Sequence, residues 1–168
     1  IVTAKEAVTR GSLVPSRLEF TMDGSRVRAD HVAGKLEVDG AMIRADSLEM
    51  RLSSGTADDG LLRLSGDFTA QAIDARLANG RFESPVTREL LSTRSAGLLS
   101  LLRTRNATGT FDAHYSSNGR ERLEVTPRTL SIGDEGARVG FRFDEEDGGG
   151  IVADDEGVRF DQIGRAHV

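Results

Sequence analysis

The side chains best suited to acid–base or metal chemistry are few in this chain. Its imidazoles are those of His31, His114 and His167. His31 follows Asp30 in a segment whose second copy, sixteen residues later, has Ser47 at the corresponding position. A position that tolerates this change is poorly suited to a catalytic group. His114 alternates against the apolar positions of its predicted strand, which places it towards solvent. We therefore predict no catalytic residues.

Two acidic runs, residues 144–147 and 154–156, carry the densest carboxylates. Clustered carboxylate oxygens are the ligands that Ca²⁺ prefers. Neither run has the EF-hand spacing or the glycine-rich nonapeptide of calcium-binding β-helices. We interpret both as solvated hairpin turns, whose charges discourage strand edges from pairing with other molecules. No metal site is predicted.

Other chemistries find little support in the composition. There is no cysteine, so disulfides and thiol chemistry are excluded, and the formal charge of −5 disfavours nucleic-acid binding. The glycines at 148–150 lack the Lys-Ser/Thr of a phosphate-binding loop. Carbohydrate sites often use aromatic platforms, and the chain has no Trp and one Tyr. We predict a protein that is not an enzyme and that has no cofactor.

Asp-Gly and Asn-Gly dipeptides recur along the chain and indicate how the backbone is organised. They are Asp23-Gly24, Asp39-Gly40, Asp59-Gly60, Asn79-Gly80, Asn118-Gly119 and Asp147-Gly148. Such pairs tolerate the positive φ angles of tight hairpins. Between them, apolar and polar residues alternate, as in residues 18–22, which is typical of half-buried strands. The pattern predicts a mainly β fold: an elongated, curved antiparallel β-meander that forms an open groove.

Two neighbouring segments, residues 27–36 and 43–52, resemble each other. Val27 corresponds to Ile43, and Leu36 corresponds to Leu52. An internal repeat favours a ladder of stacked units, in which each unit extends an apolar face that it cannot bury alone.

The turn rhythm is interrupted once, and a helix at about residues 84–105 is predicted there. Ser84 suits the N-cap and Pro85 the first helical position. Its apolar side chains include Val86, Leu90, Leu91, Leu98, Leu101 and Leu102. A face this rich in leucine must cover an apolar surface. Two interpretations stay open, namely a helix that covers the groove and an amphipathic helix on a membrane surface.

The chain is expected to be a single β-rich fragment, residues 1–162, of a larger protein. Residues 163–168, IGRAHV, look like one reading frame of a sequencing adapter. They are predicted to be a non-native tail, so they are excluded from fold reasoning.

Six parts of the chain carry a resemblance to a known family: the helix at 84–103, the strand at 109–113 and the segments 130–132, 136–139, 149–151 and 157–159. Together they resemble the AsmA-like bacterial envelope protein superfamily. Within it, the chain is most similar to YdbH-type and TamB-type proteins. The resemblance covers about residues 18–161. It implies a periplasmic protein of the cell envelope, with a parent chain anchored in the inner membrane, that conducts phospholipid between the inner and outer membranes. The implied partners are phospholipid acyl chains, the remainder of the parent chain, and components of both membranes.

The resemblance also implies that function is distributed along inward-facing apolar positions. The expected groove-lining residues are Val27, Leu36, Ile43, Leu52, Leu64, Phe68, Phe111, Val139 and Phe141. An acyl chain in water costs roughly 0.8 kcal/mol per exposed CH₂ group, so a continuous apolar channel removes the main barrier to transfer.

Two other functional classes remain open at this point. A structural or adhesive cell-surface β-module would need strict repeats with closed cores, whereas the turn spacing here drifts. A polysaccharide-active enzyme would need paired carboxylates in a polar cleft, and such pairs can be distant in the chain.

Overall fold

A computed structural model of the chain describes residues 10–22, 24–94, 100, 102–104, 106–134, 137–142, 150–154 and 157–161. The strands are β1 (Arg10–Leu13), β2 (Leu18–Met22), β3 (Ser25–Ala33), β4 (Leu36–Asp39), β5 (Met42–Ser54), β6 (Ala57–Asp67), β7 (Ala72–Arg81), β8 (Thr108–Ser116), β9 (Arg122–Asp134), β10 (Ala137–Arg142), β11 (Gly150–Asp154) and β12 (Gly157–Asp161). One helix, α1 (Pro85–Arg94), follows β7. The predicted tail at 163–168 lies outside the described residues.

All of these strands belong to one antiparallel sheet that is not closed into a barrel. The predicted fold class, mainly β with an open antiparallel sheet and a helical insertion, is confirmed. Strands β5 to β9 form a true meander, because each pairs with the next along the chain. Both ends depart from it. β5 pairs along one edge with β3 and β4, and β9 pairs along one edge with β10 and β11. The two longest strands thus each join two shorter ones.

The predicted turns are partly right. Gly40 and Gly119 lie between strands with φ angles of 61° and 81°. The prediction of turns at Asp59-Gly60 and Asn79-Gly80 is wrong, because both pairs lie inside strands, at register shifts. Gly60 has a φ angle of 107° and Asn79 one of 56°. Some β-bulges, like tight turns, place a residue at positive φ, so the dipeptide marks the backbone angle without fixing a chain reversal.

The internal repeat corresponds to a shared irregularity in the strands. In the first copy the register shifts between Asp30 and Ala33, and in the second it shifts between Ala45 and Leu48. Each shift inserts one extra residue, so alanine and the aliphatic residue three positions later can face the same side. The copies differ beyond the bulge. The first is broken into β3 and β4 near Gly34, and the second is the continuous strand β5.

The predicted helix begins where the sequence indicates. The Thr87 amide donates to Ser84 Oγ at 3.1 Å, so Ser84 is the N-cap and Pro85 the first helical residue. Helical backbone also occurs at Ser100 and at residues 102–104. Leu98 and Leu101 lie outside the described residues, and Leu90 and Leu91 lie in α1 with side chains outside the described part.

The connection between β6 and β7 has no Asx-Gly pair and is held by Asp67. Its Oδ1 accepts hydrogen bonds from the amides of Thr69 and Ala70 at 3.0 and 2.9 Å. Its Oδ2 accepts one from Arg44 Nε at 3.0 Å. The Ala70 amide and then the Arg44 guanidinium hold the pKa of the Asp67 carboxyl below its usual value. Because the pKa is lower in the folded state, this stabilisation is present above about pH 4 and is lost as pH falls through the folded-state pKa.

We expect the melting temperature to fall below pH 4 and to fall less steeply in Asp67→Asn, which retains an acceptor oxygen but does not titrate. Thermal melts of both proteins from pH 2.5 to 7 would check this. Parallel pH profiles for the two proteins would contradict it.

Candidate functional site

One face of the sheet is continuously apolar. Consecutive cross-strand partners on β5, β6, β7, β8, β9 and β11 are Met50, Leu62, Leu77, Ala113, Val125 and Ile151. A parallel row contains Leu48, Leu64, Ala75, Tyr115 and Leu123. Paired residues share a face, and residues two apart along a strand share it too. These rows therefore form one uninterrupted apolar side of the sheet, here called the apolar face. Much of it is core, because Leu48, Met50, Leu77, Leu123 and Val125 are each at most 5 % exposed.

The opposite face carries charges in the same regular arrangement. Glu49, Arg63, Arg76, His114 and Glu124 are consecutive partners across β5 to β9. Arg63 Nε lies 2.7 Å from Glu49 Oε2. His114 Nε2 lies 2.6 Å from Asp74 Oδ2. We call this side the charged face. The two faces make the sheet amphipathic, so an apolar ligand would be directed to one side of it.

The strand register places seven of the nine predicted groove residues on the apolar face, and Phe68 lies in the turn after β6. Val27, Leu52 and Phe111 are at most 1 % exposed, so they form the core beneath that face. Leu36, Leu64 and Phe68 are half-buried, whereas Ile43 is 42 % and Val139 is 46 % exposed. Phe141 pairs with Leu130, and its side chain lies outside the described part. The accessible apolar surface is therefore carried by a subset of the predicted residues.

Part of the accessible apolar surface lies at one end of β5 and β6. It consists of Leu13, Leu36, Ile43, Leu64 and Phe68, here called the open strip. Leu13 pairs with Leu36 and is 60 % exposed. The Phe68 amide donates to the Ile43 carbonyl at 2.9 Å, and the Ile43 amide donates to Thr69 Oγ1 at 2.8 Å. These bonds fix Phe68 beside Ile43 although Phe68 lies in a turn.

The helix is associated with the other end of the apolar face. α1 contacts β2 and β3, and its Val86 belongs to the same buried cluster as Val27 and Phe82. Phe82 packs on Phe111 with ring centroids 4.7 Å apart. The open strip and the core beside the helix are therefore separate parts of the apolar face. The structure describes Val86 as buried and Leu102 as half-buried among the predicted helix residues.

A buried ion pair anchors the start of the helix, and the sequence reading missed it. Asp59 is fully buried, and its Oδ1 accepts from Arg81 Nη2 at 2.9 Å and from Arg81 Nε at 3.2 Å. Asp59 Oδ2 has no hydrogen-bond partner. The Arg81 carbonyl accepts from Thr87 Oγ1 at 2.6 Å. The pair thus connects the bulge in β6 to the last residue of β7 and the first turn of α1.

Asp74, His114 and Glu124 form a polar cluster on the charged face. The hydrogen bond from His114, then its charge, holds the pKa of the Asp74 carboxyl below its usual value. His114 is about one-third exposed on the charged face, and His31 is exposed. Among the described residues, no group of three or more His, Asp or Glu side chains is arranged to hold a metal ion. The distinctive chemical property of the site is its continuous apolar surface.

Comparisons with known proteins leave the family undetermined. No protein-family model matches the chain, and searches of the curated proteins and of the solved structures give no significant match. Within the described residues, no helix is long and apolar enough to cross a membrane.

Proposed function

We propose that this chain is a non-enzymatic β-sheet segment that binds the acyl chains of phospholipids on its apolar face, as part of a periplasmic lipid conduit between the inner and outer membranes. The observation that carries the proposal is the amphipathic open sheet. Apolar partners continue from β5 to β11 on one face, and charged partners continue from β5 to β9 on the other.

The open strip is where an acyl chain would first make contact. Its side chains are accessible, and they adjoin the buried rows of the same face. Each CH₂ group moved from water to this surface gains about 0.8 kcal/mol, so even a few covered methylenes give measurable binding. The resemblance to AsmA-like envelope proteins supplies the cellular setting of the proposal.

A charge in the open strip is expected to weaken lipid binding. Ile43→Glu places a carboxylate where the side chain is 42 % exposed, so the fold can tolerate it. A charge beside an acyl chain must stay hydrated, so we expect affinity for a fluorescent phospholipid to fall about 10-fold, equivalent to about 1.4 kcal/mol. Equilibrium titration with the labelled lipid measures this.

Arg63→Gln is the matched control. It changes the net charge by the same amount at an exposed strand position on the charged face. Its lipid affinity should stay within about twofold of the parent. If neither lipid binding nor co-purified phospholipid is found, or if Ile43→Glu binds as well as the parent at an unchanged melting temperature, the proposal is wrong.

A further inference from the structure

The two Asn-Gly pairs of the chain have the same local chemistry but different structural surroundings. Asn79-Gly80 lies inside β7 at a register shift, and Asn118-Gly119 lies between β8 and β9. An arginine follows the glycine in both pairs. The asparagine side chain of an Asn-Gly pair is open to attack by the next backbone nitrogen, because glycine has no side chain to shield that nitrogen. A difference in reactivity between the two pairs must therefore come mainly from the fold.

The turn at Asn118-Gly119 leaves both reacting groups free to move. Residues 118–121 are exposed, and no hydrogen bond joins Asn118 or Gly119 to another described residue. A Cβ built on Gly119 would meet nothing within 4 Å, so the space beside this glycine is open. The Asn118 side chain can therefore rotate towards the Gly119 nitrogen without displacing another group.

The hairpin is anchored immediately before this turn. The Ser117 amide donates to the Ile73 carbonyl at 2.9 Å, and the Ile73 amide donates to Ser117 Oγ at 2.9 Å. These bonds hold the end of β8 against the start of β7. A reaction at Asn118 consequently needs no separation of the strands.

The backbone around Asn79 is held from the neighbouring strands. The Asn79 amide donates to Asp112 Oδ1 at 2.9 Å, and Arg128 Nη2 donates to Asp112 Oδ2 at 2.6 Å. Asn79 is itself exposed, as Asn118 is, so exposure alone does not distinguish the two asparagines.

The glycine that follows Asn79 is packed inside the sheet. Gly80 is buried and pairs with Phe111. A Cβ built on it would lie 2.7 Å from Leu77 Cδ2 and 2.9 Å from Phe111 Cζ. A ring that includes the Gly80 nitrogen would therefore need β7 and β8 to open first.

We infer that Asn118 is a site of spontaneous deamidation and that the fold protects Asn79 from the same reaction. The Gly119 nitrogen loses its proton and forms a bond to Asn118 Cγ, and the side-chain nitrogen leaves as ammonia. Water then adds to either carbonyl of the resulting succinimide, and the ring opens to aspartate or isoaspartate. Each product adds a negative charge, and isoaspartate also lengthens the main chain by one methylene group between β8 and β9. The inference is independent of the proposed lipid binding.

The experiment is incubation of the whole chain at mildly alkaline pH, in buffer and in urea, followed by trypsin digestion and mass spectrometry. Asn79 and Asn118 fall in separate tryptic peptides, residues 77–81 and 106–120. In buffer we expect Asn118 to react at least about tenfold faster than Asn79, because the buried pair reacts only in a locally opened state. In urea the two rates should agree within about threefold, because the local sequences are alike.

Asn118→Gln is the control for the assignment, because glutamine closes the corresponding larger ring more slowly. Its melting temperature should match that of the parent, and the deamidated form of peptide 106–120 should disappear. Product that persists in this variant would come from Asn106, the other asparagine of the peptide, and would overturn the inference. Equal rates at Asn79 and Asn118 in buffer, or the same ratio of rates in buffer and in urea, would also overturn it.

Discussion

Arg81→Met is expected to lower the free energy of unfolding by about 3–5 kcal/mol. The substitution leaves the Asp59 carboxylate fully buried without its guanidinium partner, and Asp59 Oδ2 already lacks a hydrogen bond. Removing one member of a buried pair strands the other charge, and this desolvation cost dominates the effect. The pair connects β6 to the start of α1. Urea denaturation followed by circular dichroism would measure the loss in the free energy of unfolding.

Two comparisons test the cause. Arg63→Met makes the same change in a pair that is largely exposed, and such pairs contribute about 0–1 kcal/mol. Combining Arg81→Met with Asp59→Leu removes the stranded charge, so most of the lost stability should return. If the double variant is less stable than Arg81→Met alone, the buried-charge explanation is wrong and the pair acts through packing.

The sequence reading missed this pair for a physical reason. Asp59 precedes glycine, and an Asp-Gly pair predicts a solvated turn. The turn before β6 instead contains Gly55, with a φ angle of 62°, and Asp59 occupies a bulge four residues later. Here the turn and the bulge each contain a glycine at positive φ, Gly55 and Gly60, so local sequence cannot distinguish them. The sequence contains one signal, because Arg81 is a charged residue at the end of a strand in which apolar and polar residues otherwise alternate. Only the sheet register brings Arg81 close to Asp59.

The sequence predicts which residues lie on the apolar face better than it predicts which of them are exposed to solvent. Period-two alternation correctly assigns Leu48, Met50 and Leu52 to one face, because that period follows from the strand backbone alone. Ile43 is nine residues before Leu52, and only the register shift between Ala45 and Leu48 brings it to the same face. Whether a position on that face is buried depends on what covers it. Leu52 is 1 % and Ile43 is 42 % exposed, although both belong to β5. This difference arises from distant elements, which alternation does not encode.

Gly66→Ala is expected to lower the free energy of unfolding by about 3 kcal/mol or more. Gly66 has a φ angle of 125°, a backbone region that is essentially restricted to glycine. A Cβ at this position would also lie 2.1 Å from the Ala72 carbonyl oxygen of β7. That oxygen belongs to the backbone and cannot rotate away, so β6 and β7 would have to separate beside Phe68 in the open strip.

Gly40→Ala separates the two causes of this effect. Gly40 also has a positive φ angle, 61°, but nothing lies within 4 Å of an added Cβ. Its substitution should therefore cost only the backbone term, about 1–2 kcal/mol. Equal destabilisation of the two variants in urea denaturation would mean that β7 yields to the added methyl group, and the close approach of the two strands would then not limit stability. A larger loss in Gly66→Ala, accompanied by weaker lipid binding, would connect the geometry of this strand pair to the open strip that it supports.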